Sequence, residues 1–157
     1  MYKKVLVPLD GSELAECALS HVKNLSKDVC VGDVILLNVV EMEVPLSYLN
    51  SEYDGVGQGF DFPAFWNDLL EKAQKYLESV QSRLSWEGIK AEAVIIKGSR
   101  PAQAIVEYAE KNNVDLIVIA THVYTGLKKL TFGSVALSVL HDSRVSVLLV
   151  RQESCSK

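Results

Sequence analysis

The 157-residue sequence predicts an α/β fold, an open five-stranded parallel sheet with helices on both faces. Two observations carry this expectation. Short, unbroken apolar runs recur along the chain, the pattern of strands buried on both sides of a parallel sheet. Between them, apolar residues repeat with helical spacing, the stripe of an amphipathic helix. Strands and helices alternating in this way are joined by right-handed crossovers, which makes the sheet parallel.

Val5-Leu6-Val7-Pro8-Leu9 is the first strand, and it stops at Asp10-Gly11-Ser12. From there Leu14, Ala15, Ala18, Leu19, Val22 and Leu25 form a helical stripe, capped by Ser12 or a neighbour. Val34 to Val40 is the second strand, and Leu69 to Leu84 the second helix, with Ala73, Leu77 and Val80 inward. Ala91 to Lys97 is the third strand. Pro101 to Lys111 is the third helix, with Ser99 as its cap and Pro101 in its first turn. Leu116 to Ala120, Ser134 to His141 and Val145 to Val150 complete the series as strand, helix and strand. With no internal repeat, residues 1–152 read as one domain followed by a tail at 153–157. The least regular stretch, 41–66, is rich in aromatics: Tyr48, Tyr53, Phe60, Phe62, Phe65 and Trp66. So long a connection is either a lid or partner surface, or a loop that packs its own aromatics.

With the strand order 3-2-1-4-5, a Rossmann-like arrangement, the order reverses between the first and fourth strands. Ligands in such sheets bind at that switch, beyond the strands' carboxyl ends. Asp10 and the segment 121–134 meet there. Gly133 lets a phosphate approach the backbone, the Ser134 hydroxyl can donate to it, and the N–H groups of a helix starting near Val135 carry partial positive charge. The Asp10 carboxylate can accept from ribose hydroxyls or an adenine amino group, or cap the following helix, and the two roles are compatible. Val123 places a branched side chain in the middle of this cradle.

Other functions are excluded or disfavoured. A net charge of −4 with scattered lysines and arginines gives no footprint for nucleic acid or anionic lipid. Cys17, Cys30 and Cys155 show no metal-binding spacing and are odd in number, so neither a zinc site nor a disulfide framework is indicated, and Cys155 reads as a free thiol. The N-terminus passes straight into a strand, too short for a signal peptide, and no apolar run spans a membrane, so a cytoplasmic protein is expected. The glycines between Gly55 and Gly59 open no helix, and no GxxxxGK[ST] phosphate loop occurs. HIGH or SGGxDS adenylation signatures are absent after the first strand, which reads Leu9-Asp10-Gly11-Ser12-Glu13. A hydrolase built from Asp10, Ser12, Ser134 and His122 lacks a nucleophile elbow. His21 and His141 read as structural.

Four segments resemble the universal stress protein family along nearly the whole chain: Lys4 to Ser12, Leu36 to Val39, Asp115 to His122, and Gly126 through Gly133, Ser134, Val135 and Ala136. The last is the most specific, matching in its spacing the family's Gly-x2-Gly-x9-Gly-[Ser/Thr] loop, with Ala120 and Val123 standing for its first two glycines. The resemblance implies an adenine-nucleotide fold, with ATP or AMP seated against Pro8, Leu9, Asp10 and Val39, whose backbone reads the adenine edge. It implies phosphates between Ala120, His122 and Val123 on one side and Gly133, Ser134, Val135 and Ala136 on the other. Magnesium or manganese would come with the nucleotide. Val123 both disfavours positive φ and fills phosphate space, so weakened binding is expected. No residue is an evident water activator, so turnover is at most slow ATP hydrolysis. A homodimer through the last strand, Val145 to Val150, is implied as well, since its apolar edge would otherwise be open. The alternative is a member without nucleotide that acts in stress response through dimerisation and protein partners.

Overall fold

The computed structural model describes residues 1–28, 31–41, 61–121 and 133–151. Its elements are β1 (Tyr2–Pro8), α1 (Glu13–Asp28), β2 (Val31–Glu41), α2 (Phe62–Trp86), β3 (Ala91–Gly98), α3 (Pro101–Lys111), β4 (Leu116–Thr121), α4 (Ser134–Asp142) and β5 (Ser146–Arg151). Every pairing is parallel and the order is β3-β2-β1-β4-β5, as the sequence predicts.

Successive side chains of a strand point to opposite faces, so each apolar run feeds two cores. Val5, Val7, Val34, Leu36, Leu116 and Val118 pack with α1 and α2 through Ala18, Val22, Leu77 and Val80. Leu6, Ile35, Leu37, Ile117 and Ile119 pack with α3 and α4 through Ile105, Ala109, Ala136 and Val139. Each buried Val, Leu or Ile contributes about 1.5–3 kcal/mol of transfer free energy. Burial of this kind, more than helix propensity, holds the helices on the sheet.

The two ladders that β1 makes have different lengths. Its pairing with β2 runs from Tyr2↔Val31 to Pro8↔Leu37, whereas its pairing with β4 is confined to Val5↔Leu116 and Leu6↔Ile117. The cause is Pro8. The Leu9 N–H donates to the Leu37 carbonyl, so odd-numbered residues of β1 face β2 and even-numbered ones face β4. The next donor owed to β4 is therefore residue 8, and proline has no N–H. The sheet parts there, between its two central strands.

Three local expectations are corrected. The α2 helix begins at Phe62, not Leu69, because Asp61 caps it: its Oδ1 accepts the Ala64 N–H at 3.0 Å, with Pro63 in the first turn. Phe62, Phe65 and Trp66 thus belong to a helix rather than to the long connection, and the Phe65 and Trp66 rings meet edge-on with centroids 5.1 Å apart. The rest of that connection, residues 42–60, lies outside the described residues, and with it the choice between a lid or partner surface and a loop packing its own aromatics, as does the tail. Ser99 does not cap α3; the N-cap is Arg100, at φ −131° and ψ 86°, with no side-chain cap bond. A residue before proline is driven to extended backbone, so Pro101 makes Arg100 the last non-helical residue and leaves Ser99 one position too far out. Cys17 is a small core residue of α1, and against the expectation of no disulfide framework it is disulfide-bonded. Three cysteines allow one bridge and one thiol, and both other cysteines lie outside the described residues.

Candidate functional site

Where β1 and β4 part, a cavity of about 350 Å³ opens at the carboxyl ends of the central strands. Pro8, Leu9, Asp10, Val39, Ala120, Gly133, Ser134, Val135 and Ala136, the described members of the expected site, all line it, and Ser12, Ile105, Ile119 and Thr121 join them. His122 and Val123 lie outside the described residues.

The turn after β1 fixes Asp10. Gly11 has φ +88°, a left-handed conformation that favours glycine, and it swings the chain from strand to helix. The Asp10 Oδ1 accepts both the Ser12 N–H at 2.9 Å and the Ser12 hydroxyl at 2.6 Å. The Ser12 Oγ in turn accepts the Ala15 N–H at 3.1 Å and so caps α1. Asp10 supports the helix through Ser12, and its carboxylate still lines the cavity mouth.

On the opposite wall, β2 outruns β1. The Leu9 N–H donates to the Leu37 carbonyl at 2.8 Å, which sets Leu37 facing β1. By the alternation of a parallel ladder the Val39 N–H and C=O point the same way, past the end of β1 and into the cleft. Asn38, only 8% exposed, donates its Nδ2 to the Leu9 carbonyl at 2.7 Å. Sequence reasoning missed this residue, although a lone amide inside an apolar run was the available signal.

The third wall is the start of α4. Gly133 is its N-cap, at φ −56° and ψ 135°, and no side chain among the described residues caps the helix. The Gly133 N–H donates to Thr121 Oγ1 at 3.0 Å, and Thr121, 1% exposed, ties the end of β4 to the helix start. First-turn N–H groups have no partner within a helix. Those of Ser134, Val135 and Ala136 lie at the cavity and carry the positive end of the helix dipole. The helix opens at Ser134, where the sequence predicts it. Among the described residues the cavity has two carboxylates, Asp10 and Glu41, and no basic side chain, so an anion would be held by backbone N–H groups. No cluster of three metal-ligating side chains occurs among the described residues.

Comparison with known proteins agrees with this architecture. The model of the universal stress protein family matches residues 1–151. Universal stress protein MJ0577 of Methanocaldococcus jannaschii is 37% identical over 160 aligned positions covering 98% of each chain. The solved structure of MJ0577 superposes with a TM-score of 0.74 at 35% identity, covering 97% of both chains. Two further solved universal stress proteins, one of them from Archaeoglobus fulgidus, share the fold. Their TM-scores are 0.63 and 0.62, their identities 22% and 19%, and they cover 95% and 94% of this chain and 97% of their own. Matched from end to end by that model and by a full-length relative, the chain belongs to the universal stress protein family.

Proposed function

We propose that the cleft binds an adenine nucleotide, ATP or AMP, and that the protein serves as a nucleotide-responsive module in a stress or signalling response. The observation that carries this reading is the pairing, in one cavity, of a strand edge at Val39 beyond the β1 ladder with a helix start at Ser134 that no described side chain caps. A purine carries an acceptor and a donor side by side, the complement of the Val39 N–H and C=O. Phosphate oxygens take N–H groups, and the Asp10 carboxylate between them can accept from ribose hydroxyls. A volume of about 350 Å³ is at the small end of ligand sites, roughly 300–1,000 Å³. It suits a nucleoside with its phosphates reaching along α4. The low-identity relatives were solved with cAMP and, for the Archaeoglobus fulgidus protein, with dAMP, so this fold can hold adenine nucleotides. Magnesium or manganese would enter with the phosphates.

We also read β5 as the contact with a second copy. Val147, Leu148 and Leu149 remain partly exposed on this edge strand, and Leu137 and Leu140 of the neighbouring α4 are 48% and 44% exposed. A light-scattering mass of one chain at micromolar concentration would refute the dimer.

The test of the nucleotide reading is to denature freshly purified protein, identify any released small molecule by chromatography, and titrate the protein calorimetrically with ATP and AMP. Release or binding that is lost in Ser134→Ala supports the proposal. No release and no heat at millimolar ATP overturns it in favour of a nucleotide-free dimer acting through protein partners.

A further inference from the structure

We infer that Asn38 is a positioning residue: by occupying the Leu9 carbonyl it ends the β1–β2 ladder and keeps the Val39 edge open to ligand. The inference rests on the proposed reading of the cleft as a purine site.

In a parallel ladder, alternate residues of a strand both donate to and accept from the same neighbour. The Leu37 carbonyl accepts the Leu9 N–H, and one step further the Leu9 carbonyl is due to accept the Val39 N–H. The ladder stops at Pro8↔Leu37 instead. The Leu9 carbonyl is taken by the Asn38 Nδ2 at 2.7 Å, and no bond from Val39 to Leu9 forms. The side-chain bond satisfies the Leu9 carbonyl in place of that rung, and it does so without drawing β1 and β2 together. It also fixes Leu9, the residue from which the Asp10 turn starts.

Burial makes the choice of amide informative. Asn38 and Thr121 are the buried polar residues among the described ones, and Asn38 stands between apolar Leu37 and Val39 on a strand whose other buried members are Val or Leu or Ile. An amide in such a place is unfavourable unless it is hydrogen-bonded, so its contribution is the bond to Leu9. Leucine at this position would release the Leu9 carbonyl, and the nearest ladder donor is the Val39 N–H. The strand edge would then close by one rung across the place where a base would sit.

Backbone amide exchange measured by NMR on the nucleotide-free chain tests this. In the wild type the Val39 amide is expected to exchange far faster than the laddered Leu37 amide. In Asn38→Leu the Val39 amide slows and the dissociation constant for ATP rises, each by about tenfold, the value of one hydrogen bond. Asn38→His, which carries a ring N–H at the same δ position, restores both. A wild-type Val39 amide as protected as that of Leu37 overturns the inference, and this comparison needs neither a variant nor a nucleotide. Unchanged Val39 exchange and unchanged ATP affinity in a folded Asn38→Leu protein overturn it as well. A wild type that binds no ATP would sink the proposed function, whereas the exchange data would still decide whether Asn38 ends the ladder.

Discussion

Replacing Gly133 with alanine separates the stability of the fold from the binding of a phosphate. At φ −56° and ψ 135° the residue lies in a region open to any L-amino acid, and an added Cβ would meet Thr121 Oγ1 at 3.7 Å, an ordinary contact. Alanine in a compatible conformation lowers the entropy of the unfolded chain, which stabilises by about 0.4–1 kcal/mol. Against this, alanine is a poorer N-cap than glycine, at a cost of roughly 0.5–1 kcal/mol. The two nearly cancel, so the unfolding free energy should stay within about 1 kcal/mol of wild type. Binding has no such compensation. The methyl group stands where a phosphate oxygen must approach the first turn of α4, and each hydrogen bond to a charged acceptor is worth about 1.5–3 kcal/mol. One lost bond therefore weakens ATP binding by about tenfold to a hundredfold or more. Urea denaturation and calorimetric titration of the same preparation give both numbers. An ATP affinity within threefold of wild type, at unchanged stability, would refute the placement of phosphates against Gly133.

Other perturbations have different signatures. Pro8→Ala supplies the N–H that β1 owes to β4, so the residue 8 amide should become protected from exchange, stability should change little, and ATP binding should weaken several-fold as the cleft closes by one rung; an amide that still exchanges freely refutes the role given to Pro8. Tyr76 on α2 has a buried hydroxyl that lies near the Glu16 carboxylate but outside good hydrogen-bond geometry with any described residue, and burial, followed by the charge of Glu16, raises its pKa above the usual 10.0. A tyrosine with a raised folded-state pKa keeps its full contribution below the unfolded value and loses it as pH climbs. The wild type should therefore lose stability above about pH 10. Tyr76→Phe should flatten that decline and, at neutral pH, be neutral or stabilising by about 1 kcal/mol, since it removes an unpaired buried hydroxyl; a clear loss of stability in thermal melts at pH 7 would show that the hydroxyl has a partner.

How far these features could be read in advance depended on whether the determining interaction was local. Ser12 as a cap, the Asp10-Gly11-Ser12 turn and the Gly133-Ser134 helix opening are settled by neighbours in sequence, and all were legible. So was the buried parallel sheet, because the strands read as unbroken apolar runs, whereas the order 3-2-1-4-5 is an assumption of the sequence reading that the structure bears out. The start of α2 was missed although Asp61 and Pro63 are standard signals, because the preceding glycines and aromatics broke the helical period. Ser99 was misjudged through neglect of what Pro101 imposes on the residue before it. Pro8 was legible as a strand residue but not as the break in a ladder. That role depends on which neighbour the eighth residue faces, and facing follows from register between strands distant in sequence. Asn38 was invisible for the same reason, since its partner Leu9 lies 29 residues away. The Cys17 bridge is not legible because an odd cysteine count argues against a disulfide framework without deciding whether one pair forms.

The cavity also sits where the two cores of the protein come to the surface together. Leu14 and Ala15, from the helix layer on one side of the sheet, and Ile105, from the layer on the other, contribute to the same wall. Elsewhere among the described residues the two cores lie on opposite faces of the sheet. An occupant of this cleft would touch both at once and so act as a rivet, joining two halves that could otherwise loosen separately. A ligand bound there would then raise the resistance of both layers to heat and proteases together, without any change of shape.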